Sequence, residues 1–147
     1  MNSDFGYFHI PGDKNSPLSF QNLDIRHRQG GRMNGCWWLK NPQLELLKTI
    51  EFTDRTGTTW RVPAGFTFNG NSVPWCLWWL CPPEHSNALA ASCVHDMLCV
   101  DRPCSSKTAA RVYWEALRAN RMYSWGAWRN WFAVRFFGPR FKPTGRV

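Results

Sequence analysis

The sequence predicts an α+β fold: a small antiparallel β-sheet in the N-terminal half, packed with three C-terminal helices and preceded by an irregular N-terminal arm. Three observations carry this. Two β-prone runs flank a turn at residues 53–57, the apolar spacing lengthens to three or four after residue 86, and serines stand where three helices should begin. At 147 residues, 44% of them apolar, the chain is long enough for one sizeable core. The expected organisation is an arm over residues 1–35 and a single α+β domain over residues 36–147 with a basic, aromatic C-terminal helix and tail.

Residues 1–35 are rich in Asn, Gly, Asp, Ser and Pro, with turn formers such as Gly12-Asp13-Lys14-Asn15-Ser16-Pro17 and Gln29-Gly30-Gly31-Arg32. This composition buries little surface, so one short strand near residues 4–10 is expected within a segment that orders against a partner. Cys36-Trp37-Trp38-Leu39-Lys40 then opens the apolar part of the chain. Residues 44–52 and 58–62 flank Thr53-Asp54-Arg55-Thr56-Gly57, a hairpin signal because Gly supplies the positive φ of the turn. Leu44, Leu46 and Leu47 also fit the start of a helix, and both readings stay open there.

Pro63-Ala64-Gly65 closes the hairpin, and Asn69-Gly70-Asn71 forms a second turn whose backbone can cradle an anion or offer carbonyls to a cation. Ser72-Val73-Pro74 leads into Trp75-Cys76-Leu77-Trp78-Trp79-Leu80-Cys81, stopped by Pro82-Pro83. Seven apolar residues suit a buried helical turn or a wedge between layers. Ser86 caps a helix over residues 87–100, with Leu89, Cys93 and either Asp96 or Met97 in step. Ser105 or Ser106 caps a second over 107–120, with the stripe Ala109, Val112, Tyr113, Ala116 and Leu117. Ser124 caps a third over 125–137, ended by Gly138-Pro139. Its apolar residues, Trp128 to Phe137, cover more than one face, so it is either deep in the core or turned toward something else.

Eighteen Lys and Arg against ten Asp and Glu give a formal charge of +8, which favours acidic partners: nucleic acid, phospholipid headgroups or anionic cell-wall polymers. Ten Trp and ten Phe make either an aromatic core or an exposed aromatic surface. No apolar run approaches the roughly twenty residues of a membrane span, and Met1-Asn2-Ser3-Asp4 lacks a signal-peptide layout. Synthesis in the cytoplasm as a soluble chain is the expectation. Six cysteines in such a chain read as buried free thiols, with local bridges Cys76–Cys81 and Cys99–Cys104 as the alternative. A zinc set of Cys93, His95, Cys99 and Cys104 is disfavoured, because Cys93 and His95 point to different helix faces and no Cys-x-x-Cys unit is present.

His95-Asp96 is the candidate chemical centre. Neighbours on a helix diverge by about 100°, so they form no dyad with each other. They can serve adjacent tasks, the imidazole activating a water and the carboxylate holding a cation, with Asn69, Gly70, Asn71 and Ser72 as the loop around it. Asp96 and Asn69 are the candidate metal ligands, and calcium suits their oxygen donors. The plainer reading is a His and an Asp satisfied locally within packed helices.

Several motifs in order, Val62-Pro63-Ala64-Gly65-Phe66, Asn69-Gly70-Asn71-Ser72-Val73-Pro74, His95-Asp96 and the helix from Arg111, resemble a phage and prophage family known as domain of unknown function 1353. The similarity covers about residues 36–138 and implies a phage origin and a compact α+β domain. Where that family carries Asp in its turn and Asp on its second helix, this chain has Asn69 and Ala110, and the family's Tyr after His-Asp is Cys99. A looser similarity links the loop and the His-Asp helix to phospholipase A2. On that template His95 is the base, Asp96 the calcium ligand, residues 68–71 the calcium loop, and the orienting carboxylate falls at Ala110. Asp101 is expected past the helix end and Glu115 on another face, so neither replaces it.

With the phage origin that the resemblance implies, the replaced carboxylates, the N-terminal arm, the basic aromatic C-terminus and the excess of Trp point to a phage-encoded structural or accessory interaction protein, virion- or tail-associated, built on a degenerate hydrolase-like domain. Its partners would be other virion proteins within an assembly. The alternative is a His-dependent, calcium-assisted hydrolase of lipid or cell-envelope bonds working at an anionic envelope surface, and a third reading is nucleic-acid binding through Arg and Trp of the last helix.

Overall fold

A computed structural model describes residues 4–11, 24–28, 32–33, 36–40, 43–68, 86–120, 122, 124–138 and 140–144. The described strands are β1 (Tyr7–His9), β2 (Ile25–Arg28), β3 (Arg32–Met33), β4 (Cys36–Lys40), β5 (Gln43–Leu46), β6 (Ile50–Thr53), β7 (Thr59–Val62) and β8 (Thr67–Phe68). The helices α1 (Ser86–Asp101), α2 (Ser106–Ala119) and α3 (Ser124–Phe137) follow. The fold is α+β, with two antiparallel three-stranded sheets, ordered β1-β6-β7 and β2-β5-β8, and a β3-β4 ladder.

In the first sheet, period-two alternation sends Ile50 and Phe52 into the core and leaves Glu51 on the outer face. Phe8 of β1 lies opposite Phe52, with ring centroids 4.7 Å apart. On the outer face Glu51 accepts from His9 Nε2 at 2.8 Å and faces Arg61 at 3.5 Å, a cross-strand row. The hairpin is the one read from the sequence: Gly57 has φ 83°, and the amide of Asp54 donates to the Thr58 carbonyl. Gly6, with φ 93°, lets β1 run against β6, where a Cβ would strike the Thr53 carbonyl.

Leu44 and Leu46, open between strand and helix, lie on β5. The intervening Glu45 gives them the spacing that buries both leucines, with Leu44 paired to Phe68 of β8. Within residues 1–35 the described stretches hold more strand than the single one expected. They hold the strand foreseen near residues 4–10 and also β2 and β3, and Phe8 sits in the core. β1 pairs with β6, β2 with β5 and β3 with β4, so these stretches are tied to strands of the same chain.

The helices begin and end within one residue of their expected limits. Ser105 caps α2, its hydroxyl accepting from the Thr108 amide, whereas Ser124 is the first residue of α3 and accepts from Arg118. Asp101 was expected past the end of the first helix and is instead its last residue, because Arg102 closes the turn with φ 49° and donates its N–H to Leu98. α1 packs on α2 and against β7 and β8, α2 packs on α3 and against β1, and Phe5 lies under the Arg118 guanidinium. The apolar stretch at residues 75–81 lies outside the described residues. Cys93, Cys99 and Cys104 are free thiols, so no Cys99–Cys104 bridge is formed.

Candidate functional site

α1 is buried nearly all round because Ala88, Ala90, Ala91 and Cys93 are small enough for sheet and helices to close on it. His95 is held at its centre, 3% exposed. Its ring lies 5.1 Å from the Tyr113 ring, and the Cys99 sulfur is 3.7 Å from each ring nitrogen. An equidistant sulfur lies in line with neither N–H direction, so it is a weak partner. Burial, aided by the Asp96 charge, pushes the Cys99 thiol up to about 12, and the thiol stays protonated at neutral pH. Burial likewise holds Cys93 well above the usual thiol range.

Asp96 Oδ1 stands 3.9 Å from His95 Nδ1, longer than a hydrogen bond. The two side chains are therefore closer than their helical divergence suggests, but still not hydrogen-bonded to each other. Ala110, at the expected orienting position, is buried in the core. Asn69, Gly70, Asn71 and Ser72 lie outside the described residues. β8, which leads toward them, packs beside α1. Among the described residues no group of three or more His, Cys, Asp or Glu side chains converges, so these residues by themselves compose neither a calcium nor a zinc ligand shell.

A second polar cluster escaped the sequence reading. Asp54, in the hairpin turn, is 3% exposed, and Glu115 of α2 is fully buried. Glu115 Oε1 takes Arg111 Nη1 at 2.7 Å and Arg55 Nε at 3.0 Å, while Oε2 accepts the Arg55 amide at 3.1 Å. Asp54 Oδ2 accepts from Trp60 Nε1 at 3.1 Å and from Arg111 Nη2 at 3.4 Å. Burial alone would raise the Asp54 carboxyl. Hydrogen bonds from the Thr56 hydroxyl, the Trp60 indole and the amides of Thr58 and Thr56 outweigh it and hold the carboxyl below its ordinary value. The cluster bolts the hairpin to α2. Its one trace in the sequence is the Arg111–Glu115 spacing of four.

The third candidate is the outward side of α3. Gly126, Ala127, Asn130, Ala133 and Val134 face inward, and Asn130 Nδ2 donates to the Gly126 carbonyl at 2.8 Å. Most of the large side chains face out: Trp125 is 62% exposed, Trp128 44%, Phe132 39%, Phe136 51% and Phe137 58%, whereas Trp131 is partly buried against the core. Trp125, Trp128, Phe132 and Phe136 form a continuous row, with successive ring centroids 5.3, 5.4 and 4.6 Å apart. Beside the row, between α2 and α3, lies a groove of about 440 Å³ walled by Trp114, Trp128 and Trp131 and rimmed by Lys107, Arg111 and Arg135.

Fold and site together define a small α+β domain in which a helix carrying buried His95 and part-buried Asp96 packs against strands of two sheets, with an aromatic helix on the outside. The chain belongs to DUF1353, a family of proteins of unknown function, whose match covers residues 44–134. It is similar to "Uncharacterized protein y4jT" of Sinorhizobium fredii, 31% identical over 99 residues, which are 67% of this chain and 30% of that protein. The chain thus spans less than a third of that relative's length. No solved structure matches it.

Proposed function

We propose that the protein is an accessory interaction module, of the virion- or tail-associated phage kind its sequence suggests, and that it docks the outward face of α3 on a partner surface. One observation carries the reading: α3 places its small side chains inside and Trp125, Trp128, Phe132, Phe136 and Phe137 outside. A contiguous aromatic face of this kind marks an interaction surface. A domain matched by only part of a longer relative also suits a module joined to others.

Fractionation of cells producing the protein tests the reading, with mass measurement on particle and membrane fractions. The wild-type chain is expected in an assembly, the Trp128→Ser/Phe136→Ser variant among free monomers, and His95→Ala distributed like wild type. A wild-type chain that runs as a clean monomer, absent from particles and membranes, sinks it.

A second reading is a His95-dependent hydrolase of lipid or envelope bonds. It is supported by the Asp96 carboxylate standing 3.9 Å from His95 Nδ1, on a helix packed beside the strand that leads to the Asn/Gly turn. That reading requires ester or amide hydrolysis by wild type that disappears in His95→Ala.

A further inference from the structure

We infer that the surface docked by α3 is the interfacial layer of an anionic phospholipid bilayer, with the helix lying in the plane of the membrane. This rests on the docking reading above and names its partner.

The charge around the helix points to an anionic layer. No Asp or Glu follows Glu115, whereas Arg118, Arg121, Arg129, Arg135, Arg140, Lys142 and Arg146 do. At 100° per residue, Trp125, Trp128, Phe132 and Phe136 fall within an arc of about 80°, with Arg135 at one edge and Arg129 at the other. Long cationic side chains bordering an aromatic stripe can keep their heads among phosphates while the rings sink to the acyl boundary.

Hydrogen-bonding chemistry sharpens the choice. Every polar group on that stripe and its edges is an indole or guanidinium N–H, a donor, and no side chain there accepts. A headgroup layer presents phosphate and ester-carbonyl acceptors, whereas a protein surface presents donors as well. At the groove, Arg111 is already held by Glu115 and Asp54, so the charge offered to a headgroup comes from Lys107 and Arg135.

Geometry favours a bilayer over nucleic acid and excludes a span. The rings of the stripe lie against one another, so their faces are partly covered and unsuited to stacking on bases. A helix of 14 residues is about 21 Å long, shorter than the hydrocarbon core. Among the described residues no helix is long and apolar enough to cross a membrane.

Flotation of the full chain with vesicles tests the inference, comparing equal parts phosphatidylglycerol and phosphatidylcholine with phosphatidylcholine alone. The protein is expected to float with the anionic vesicles, at least about ten-fold more weakly with the zwitterionic ones, and less as salt rises. Trp128→Ser/Phe136→Ser and, separately, Arg129→Glu/Arg135→Glu should each lower anionic-vesicle binding by about ten-fold or more with the far-UV circular dichroism unchanged. Quenching of wild-type Trp fluorescence by phosphatidylglycerol brominated in its acyl chains reads the same contact without a substitution.

Failure to float with anionic vesicles overturns the inference, as does equal flotation of the folded aromatic variant. If the chain ignores vesicles but the same aromatic substitutions release it from a protein assembly, docking stands and the lipid is overturned. Retention on single-stranded DNA without vesicle binding overturns the lipid in favour of nucleic acid. If the aromatic substitutions change no association of any kind, both readings fall.

Discussion

α1 and α3 are helices of similar length, both dense in apolar residues, and the protein treats them in opposite ways. α1 carries Ala, Cys, Val and Leu and is enclosed on nearly every side, so its polar members Ser92 and His95 are buried with it. α3 carries Trp and Phe and is enclosed on one side, against which it sets its small residues. Side-chain size decides which helix can be central. Small residues let neighbours approach from all directions, whereas a helix studded with indoles approaches α2 closely only along its Gly/Ala/Val seam. These rings are about half exposed, so the aromatic area left outside forgoes on the order of 1 kcal/mol per side chain relative to full burial, which is the driving force available to a partner.

The largest effect should come from breaking the enclosed helix. Leu98→Ala leaves a cavity in a fully buried site and should lower stability by about 3 kcal/mol, read as a fall of roughly 10 °C in the melting temperature. Next is the bolt between hairpin and α2: Glu115→Ala strips Arg55 and Arg111 of a shared buried carboxylate. Because both guanidinium groups are part-exposed and can rehydrate, denaturant titration should show a loss of about 2 kcal/mol, below the full value of a broken buried pair.

A smaller effect concerns acid. The Asp54 carboxyl titrates below its ordinary value of 3.8 in the folded protein. The unfolded chain therefore binds the proton first, and this contribution to stability is complete above about pH 4 and disappears as pH falls through the folded value. Acid titrations of Asp54→Asn should show a shallower loss over that window than wild type; parallel curves would remove Asp54 from the account. Smallest of all, Phe136→Ser on α3 should shift stability by no more than about 0.5 kcal/mol. A loss as large as that of Leu98→Ala would mean that α3 is core after all, and the contrast between the helices would collapse.

The helices were legible in the sequence because local signals mark them: a capping Ser105, apolar periodicity through α2, and Gly138-Pro139 after α3. The short strand near residues 4–10 was legible as β1, but β2 was not, since it is four residues long and acquires meaning only from its pairing with β5. His95 and Asp96 could be singled out, but not how deeply α1 is enclosed. Asp54 read as a turn former, which it is, and nothing local says that a cation 57 residues away also reaches it. The aromatic richness of α3 was plain; which way it faces depends on which of its sides fits α2.

The Arg55–Glu115 bond joins positions 60 apart, and this orders events as the chain is made. At about 5 to 20 residues per second, a ribosome needs roughly 3 to 12 seconds to pass from the turn to its partner helix. A hairpin can close in microseconds. For those seconds the nascent turn carries Asp54 without Arg111 and Arg55 without Glu115, so the N-terminal half is completed from the C-terminal side, and a stalled chain ending before α2 keeps a latch with no catch.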